Sequence, residues 1–309
     1  MSKSYISLGR LLPRVTEAPE PLDWASCFGR VAPVELEIGC GNGEYLAQRA
    51  GEIPEHDFVG IELLWGRVKK TLRKLALAER DNAKLLYGEA STILNYLVPE
   101  RSLARVHTLY PCPWPGDDDG RHRLYTPPFL KLVNSRLQEG GRVTLVTDDA
   151  PYFEWLLEQL PGTGFRSKVE TIGADYGTKF ENKWREGGQS NFHRLELVKT
   201  EHFDRPLRRE KDMRIHRIAR FEASSFEPPE WREDGILVRC RDFLHDPGQK
   251  RGMARMVIVE PELTQELWVE IRPDGDDWVV APAKGCSALM TEGAQRALDV
   301  VAEAAGHLS

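Results

Sequence analysis

The chain lacks several features that would place it among membrane, secreted or metal-binding proteins. No run in its 309 residues approaches the roughly eighteen consecutive apolar residues that mark a membrane helix. Residues 1–21 lack the charged start and apolar stretch of an export signal, so none is expected. Cysteine is sparse: Cys27, Cys40, Cys112, Cys240 and Cys286 are odd in number and include no Cys-x-x-Cys pair. That scatter argues against a disulfide framework and a zinc knuckle, and no metal is expected. A reducing cytoplasm is the expected setting. Excess positive charge is missing too, for the formal net charge is -6; a nucleic-acid partner would have to be held by a local basic patch. What remains, at 41% hydrophobic, is enough chain for real cores in one large or two ordinary domains.

The organising stretch lies between Glu35 and Glu62. An apolar run with an acidic end, residues 34–38, precedes Gly39, Gly41 and Gly43 at alternate positions, and residues 44–50 have helical composition. Strand, tight turn and helix in that order make a nucleotide-cofactor cradle, because glycines let a ligand approach the main chain closely. A second strand, residues 58–61, delivers Glu62 about twenty residues further on, where a carboxylate can accept both hydroxyls of a ribose. A dinucleotide site would want Gly or Ala three positions after Gly41, where this chain has Glu44, and an anionic pyrophosphate gains nothing from a carboxylate there. Glu37, just before the turn, suits a cationic ligand such as the amino group of a methionine moiety. The acid-flanked turn therefore favours S-adenosylmethionine; the competing reading is a plain turn with Glu37 and Glu44 solvated.

Alternating elements continue. Leu64, Val68, Leu72, Leu75 and Ala76 share one helix face, with Arg67, Lys69, Lys70, Arg73 and Lys74 on the remainder, a solvated face or part of an RNA-binding surface. Strands are expected at residues 84–87, 106–109, 143–146 and 192–198, and helices at 127–137 and 152–160, the latter capped by Asp149 with Pro151 in its first turn. Such alternation predicts an α/β fold, a doubly wound and mostly parallel Rossmann-like sheet with ligands at the carboxyl ends of its strands. Glu89, after the strand at 84–87, would lie near the cofactor's base. Two loops interrupt the pattern at that edge. Three prolines around Trp114 make a stiff segment that presents an indole for stacking on a base, or that packs the indole as core. Residues 175–181 form a polar loop over the pocket, or an ordinary capped turn.

Together these residues resemble the bacterial tRNA (guanine-N7)-methyltransferase family over roughly residues 35–199. The likeness rests on Glu-Ile-Gly-x-Gly-x-Gly-Glu from Glu37, Gly-Ile-Glu at Gly60, Gly-Glu-Ala at Gly88, Pro-Trp-Pro at Pro113, Thr-Asp at Thr147 and Thr-Lys-Phe-Glu at Thr178. Pro-Trp-Pro followed by Thr-x-Phe-Glu is the specific part. The resemblance implies a class I methyltransferase that uses S-adenosylmethionine to methylate a guanosine in the tRNA variable loop. It implies cofactor contacts at Glu37, Gly39, Gly41, Gly43, Glu62, Glu89 and the Cys112 position. Substrate contacts are implied at Trp114, Gly116, Asp148, Thr178, Lys179, Phe180 and Glu181, with Cys112 and Asp148 as the candidate catalytic positions.

The departures fall beside the reacting centre. Cys112 stands where the family has Asp, and Gly116 where it has Lys; three aspartates follow in place of a basic run, leaving only Arg121, His122 and Arg123. Gly88-Glu89 replaces Gly-Asp. An acidic loop repels tRNA phosphates, yet guanine N7 already carries an in-plane lone pair, so transfer needs chiefly alignment. Two other readings stay open: an RNA cytosine-C5 methyltransferase with Cys112 as nucleophile, and an inactive homologue that binds cofactor or RNA. The domain reading is a methyltransferase domain at 1–200, a basic connector at 201–230 containing Arg205, Arg208, Arg209, Lys211 and Arg214, and a small α+β domain at 231–309. In the last, a hairpin near 267–281 precedes a helix capped by Thr291 and stopped by Gly306.

Overall fold

The computed structural model describes residues 11–12, 21–114, 116, 119–208, 213–261, 263–285 and 288–306. They form two compact units that meet in sequence at Leu207 and Arg208. In the first, the elements are α1 (Trp24–Phe28), β1 (Val34–Ile38), α2 (Glu44–Glu52), β2 (Asp57–Glu62), α3 (Trp65–Leu77), β3 (Ala83–Tyr87), α4 (Ala90–Tyr96) and β4 (Leu103–Leu109). There follow α5 (Pro127–Arg136), β5 (Leu137–Thr147), α6 (Ala150–Glu158), β6 (Phe165–Ile172), α7 (Lys179–Glu186) and β7 (Phe192–Lys199). Among the described residues no helix is long and apolar enough to cross a membrane.

Seven strands lie in the order β3-β2-β1-β4-β5-β7-β6. The first five run parallel, and β7 runs antiparallel to both β5 and β6. The doubly wound, mostly parallel sheet expected from the alternating pattern is therefore present, with the reversed β7 inserted between β5 and the edge strand β6. The order turns back between β1 and β4, and in such sheets the crevice outside the carboxyl ends at that point receives ligands. Burial is complete along β1 and β2, as central parallel strands require. Gly60 serves this packing: a Cβ there would lie 2.8 Å from Cys40, Leu46 and Leu85 side-chain atoms.

The second unit contains β8 (His216–Ile218), β9 (Trp231–Glu233), β10 (Ile236–Asp246), β11 (Arg251–Glu260), β12 (Leu263–Asp274), β13 (Asp277–Pro282) and α8 (Glu292–Gly306). The strands make an antiparallel sheet in the order β8-β13-β12-β11-β10-β9. Alternate residues of β11, among them Ala254, Met256 and Ile258, are buried with Ala294, Leu298 and Val301 of α8 in one core. Thr291 caps α8 as expected, accepting from Ala294 N–H at 3.2 Å and donating to the buried Glu260 at 2.6 Å. The structure differs from the expected connector. Within 201–230, β8 pairs with β13, and Phe221 packs on Phe226 and Trp278. A three-residue edge strand owes its form to its partner, so its own sequence shows no period. Arg209 and Lys211 of the basic cluster lie outside the described residues.

Candidate active site

A cavity of about 580 Å³ opens at the carboxyl ends of β1, β4 and β5. One wall is the turn between β1 and α2. Gly39, Gly41 and Gly43 all have positive φ, and an added Cβ at Gly43 would overlap the Thr71 methyl group, so that position must be glycine for α2 and α3 to pack. Beyond Gly39 the space is open, and beyond Gly41 only the Gly39 carbonyl approaches, at 4.0 Å. Glu62 is buried and fixes the turn from β2: one carboxylate oxygen accepts from Gly41 N–H at 2.9 Å, the other from Leu64 N–H at 2.8 Å. Unused lone pairs remain on both oxygens.

Glu37, the last residue but one of β1, lies in this wall. It is 5% exposed, and its Oε2 has no hydrogen-bond partner. Burial, with Glu44 and Glu62 near by, raises its pKa to about 8 against a backbone hydrogen bond from Leu46. An unpaired buried carboxylate is costly and holds its proton; a cationic ligand in the cavity would supply the missing partner. The orphaned oxygen, the open cradle and the cavity fit S-adenosylmethionine, whose methionine portion carries an ammonium group. Glu89, expected close by, is exposed and precedes α4, outside the cavity lining.

The opposite wall comes from the segment after β4, from Asp148 after β5 and from the start of α7. Pro111, Cys112 and Pro113 line it, and Cys112 is exposed. Trp114 lies beyond that lining at 38% exposure with φ of 47°. Arg123 shapes the segment, its guanidinium donating to the Pro113 carbonyl at 2.9 Å and the Trp114 carbonyl at 3.2 Å while it covers the Trp155 ring at 5.0 Å. Gly116 is exposed and does not line the cavity, and Asp117 and Asp118 lie outside the described residues. Asp148 is half-buried, and burial raises its pKa; Asp149 caps α6 through Tyr152 N–H at 2.7 Å.

Residues 175–178 lead into α7 as the capped turn that the sequence also allows. Thr178 caps α7, accepting from Glu181 N–H at 3.2 Å, and Thr178, Lys179 and Phe180 line the cavity. Glu181 does not. It is 1% exposed, and its oxygens accept from Tyr176 N–H at 2.9 Å and from the Tyr110 hydroxyl at 3.1 Å. The expected direct base contact is thus corrected to a brace between β4 and α7, because a Thr-x-x-Glu pattern turns its acid back onto the chain that enters the helix.

Sequence reasoning missed the support beneath the cavity. Tyr45, which lines it, lies 3.3 Å from His107 Nδ1; His107 Nε2 is 2.7 Å from Glu35, and His56 Nδ1 is 2.8 Å from the other Glu35 oxygen. Burial opposes ionisation of Glu35, but hydrogen bonds from both imidazoles overcome it and hold its pKa at about 2. Burial lowers the pKa of His107, so a neutral ring accepts from Tyr45 and donates to Glu35. The one available signal was a second acid in an otherwise apolar strand.

Fold and cavity together define a methyltransferase that uses S-adenosylmethionine. A family model described as "Putative methyltransferase" matches residues 31–194. The tRNA (guanine-N(7)-)-methyltransferase of Thermus thermophilus is 31% identical over 288 residues, covering 90% of this chain and 91% of the relative. The enzyme of the same description from Chlorobium phaeobacteroides is 39% identical over 171 residues, 55% of this chain and 84% of its own. The chain belongs to the tRNA (guanine-N7)-methyltransferase family. Among solved structures, a 16S rRNA methyltransferase aligns over 59% of this chain and 95% of its own, at 16% identity and a TM-score of 0.47.

Proposed function

We propose that the chain forms 7-methylguanosine in the variable loop of tRNA, in the cytoplasm. The carrying observation is the division of labour in one cavity: a buried carboxylate with one oxygen unpaired, Glu37, belongs to one wall, and Asp148 with the Thr178-capped start of α7 belongs to the other. S-adenosylmethionine, when bound, supplies an electrophilic sulfonium methyl group. Glu37 holds the ligand's ammonium end, Glu62 accepts from its ribose, and Gly39 and Gly41 keep side chains out of its path. Glu89, exposed before α4 and outside the cavity lining, is given to the base end of the ligand by the family motif alone.

On the substrate side, Asp148 accepts from the edge of the guanine, and Thr178, Lys179 and Phe180 border the base. Trp114 offers an exposed ring for stacking, and Glu181 acts through Tyr110 and Tyr176 as a positioning residue. Guanine N7 presents a lone pair, so no general base has to remove a proton first; alignment supplies the rate enhancement. Cys112 borders this space without having to act as a nucleophile. The relative matched along 90% of the chain supports the same reading for both units. Methyl transfer to bulk tRNA from radiolabelled cofactor, followed by nucleoside identification, tests it: labelled 7-methylguanosine is expected, and labelled 5-methylcytidine or no labelled nucleoside overturns it.

A further inference from the structure

We propose that Arg67 and Lys70 on α3, with Lys179 at the start of α7, form the site that takes the phosphodiester backbone of the RNA substrate. The inference rests on the tRNA reading above and says where the chain finds the cations that its 116–120 loop lacks. α3 turns Val68, Thr71, Leu72, Leu75 and Ala76 into the core. Of the basic residues left outside, Arg67 and Lys70 border the cavity, whereas Lys69 and Arg73 do not. Lys74, one turn on, is committed to Glu44 at 2.7 Å. Lys70 and Lys179 are exposed and have no ion-pair partner among the described residues. Arg67, its side chain 43% exposed, stands 3.9 Å from Glu62, beyond hydrogen-bond reach.

The most deeply buried charge of this cavity is acidic and the most exposed are basic: Glu37 is buried, Glu44, Asp148, Asp149 and Arg67 are half-buried, and Lys70 and Lys179 are exposed. A small cationic ligand is thus drawn inward, and a polyanion meets ammonium and guanidinium groups first. Lys179 is the first residue of α7, where the helix dipole adds to its charge. Arg67 brings a planar fork suited to phosphate oxygens. Helices on both sides of the cavity contribute, so a backbone held by both would carry its base across the opening toward Asp148.

The test measures tRNA binding against salt concentration for the full chain and for Arg67→Gln, Lys70→Gln, Lys179→Gln and Lys70→Arg, with cofactor affinity by calorimetry. Each Gln variant is expected to lose about three- to tenfold in tRNA affinity at low salt, and its log–log salt slope should flatten by about 0.7–0.9, one phosphate contact. Cofactor affinity should stay within twofold, and Lys70→Arg should bind as the parent does. Unchanged tRNA affinity and slope in all three Gln variants would overturn the proposal. Loss of cofactor affinity at constant salt slope would also overturn it, assigning the α3 cations to the cofactor's carboxylate. A parent protein that binds cofactor but no tRNA would remove the tRNA reading itself, and the variants are then not needed to see it.

Discussion

Two glutamates on one strand have opposite fates. Glu35 and Glu37 are two residues apart on β1, so their side chains leave the same face, and both are almost wholly buried. Glu35 meets two imidazoles, with Arg49 at 3.8 Å, and its pKa falls to about 2. Glu37 meets one backbone amide and two other carboxylates, and its pKa rises to about 8. Burial is common to both; the supply of partners differs. The interior satisfies the glutamate that supports the sheet and leaves incomplete the one that faces the cavity.

Substitution should separate these roles, and the largest effect is expected at the satisfied residue. Glu35→Ala leaves the buried His107 without its acceptor and His56 without its partner, at about 1–3 kcal/mol for each group left unsatisfied. Denaturant unfolding should show a loss of that order; a loss below about 1 kcal/mol would mean that the network carries little of the fold's stability. Glu37→Gln should do the reverse. It removes a carboxylate that is costly when empty, so the ligand-free protein keeps its stability, while cofactor binding weakens by about 1.5–3 kcal/mol, the range for a hydrogen bond to a charged group.

The same contrast appears in pH dependence. The folded pKa of Glu37, about 8, lies above its unfolded value of 4.5, so its contribution to stability is complete below about pH 4.5 and is lost as pH rises through about 8. Ligand-free stability should therefore decline across that window in the parent and flatten in Glu37→Gln. Cofactor affinity should rise from pH 6 to 8 as binding displaces the Glu37 proton, with about one proton released per ligand in calorimetry using buffers of different ionisation enthalpy. A parent with no proton release would place the cation elsewhere.

Glu62 is intermediate, a buried carboxylate satisfied by main-chain amides. Glu62→Ala should weaken cofactor binding by about 1.5–3 kcal/mol, and it should loosen the turn as well, seen as faster amide exchange at Gly41. Unchanged affinity would remove the ribose role. The smallest effect is expected across the cavity. Cys112→Ser should leave methyl transfer within about tenfold, roughly 1.4 kcal/mol of barrier, and Cys112→Asp, which restores the family's carboxylate, should preserve or raise it. Abolition by Cys112→Ser, with a covalent adduct to 5-fluorocytosine RNA, would instead make the thiol a nucleophile.

What the sequence disclosed follows from how local each cause is. The glycine turn, Glu62 at the end of the second strand and the Thr291 cap were legible because strand, turn and helix signals sit within a few residues of one another. Asp148 and Thr178, to which the family motifs give substrate roles, line the cavity. Glu181 was misjudged because its partners, Tyr176 and Tyr110, are supplied by the tertiary fold. The Glu35–His107–Tyr45 chain spans 72 residues from Glu35 to His107, beyond any periodic pattern. In the sequence Arg123 reads as part of what is left of the basic run, whereas in the fold its guanidinium is used on two carbonyls and two aromatic rings. Charge composition does not reveal which cations are already employed; Lys74 of α3 is, in its pair with Glu44, whereas Lys70 of α3 and Lys179 of α7 stay exposed at the cavity.

The hydrogen bond from Gly41 to Glu62 bears on the rhythm of turnover. A glycine turn left to itself would wander, and each arriving ligand would have to order it, at a cost in conformational entropy. Here folding has already done that ordering, through a carboxylate that belongs to the neighbouring strand. A turn held by the fold itself lets a spent ligand leave and a fresh one enter without melting and reforming between cycles.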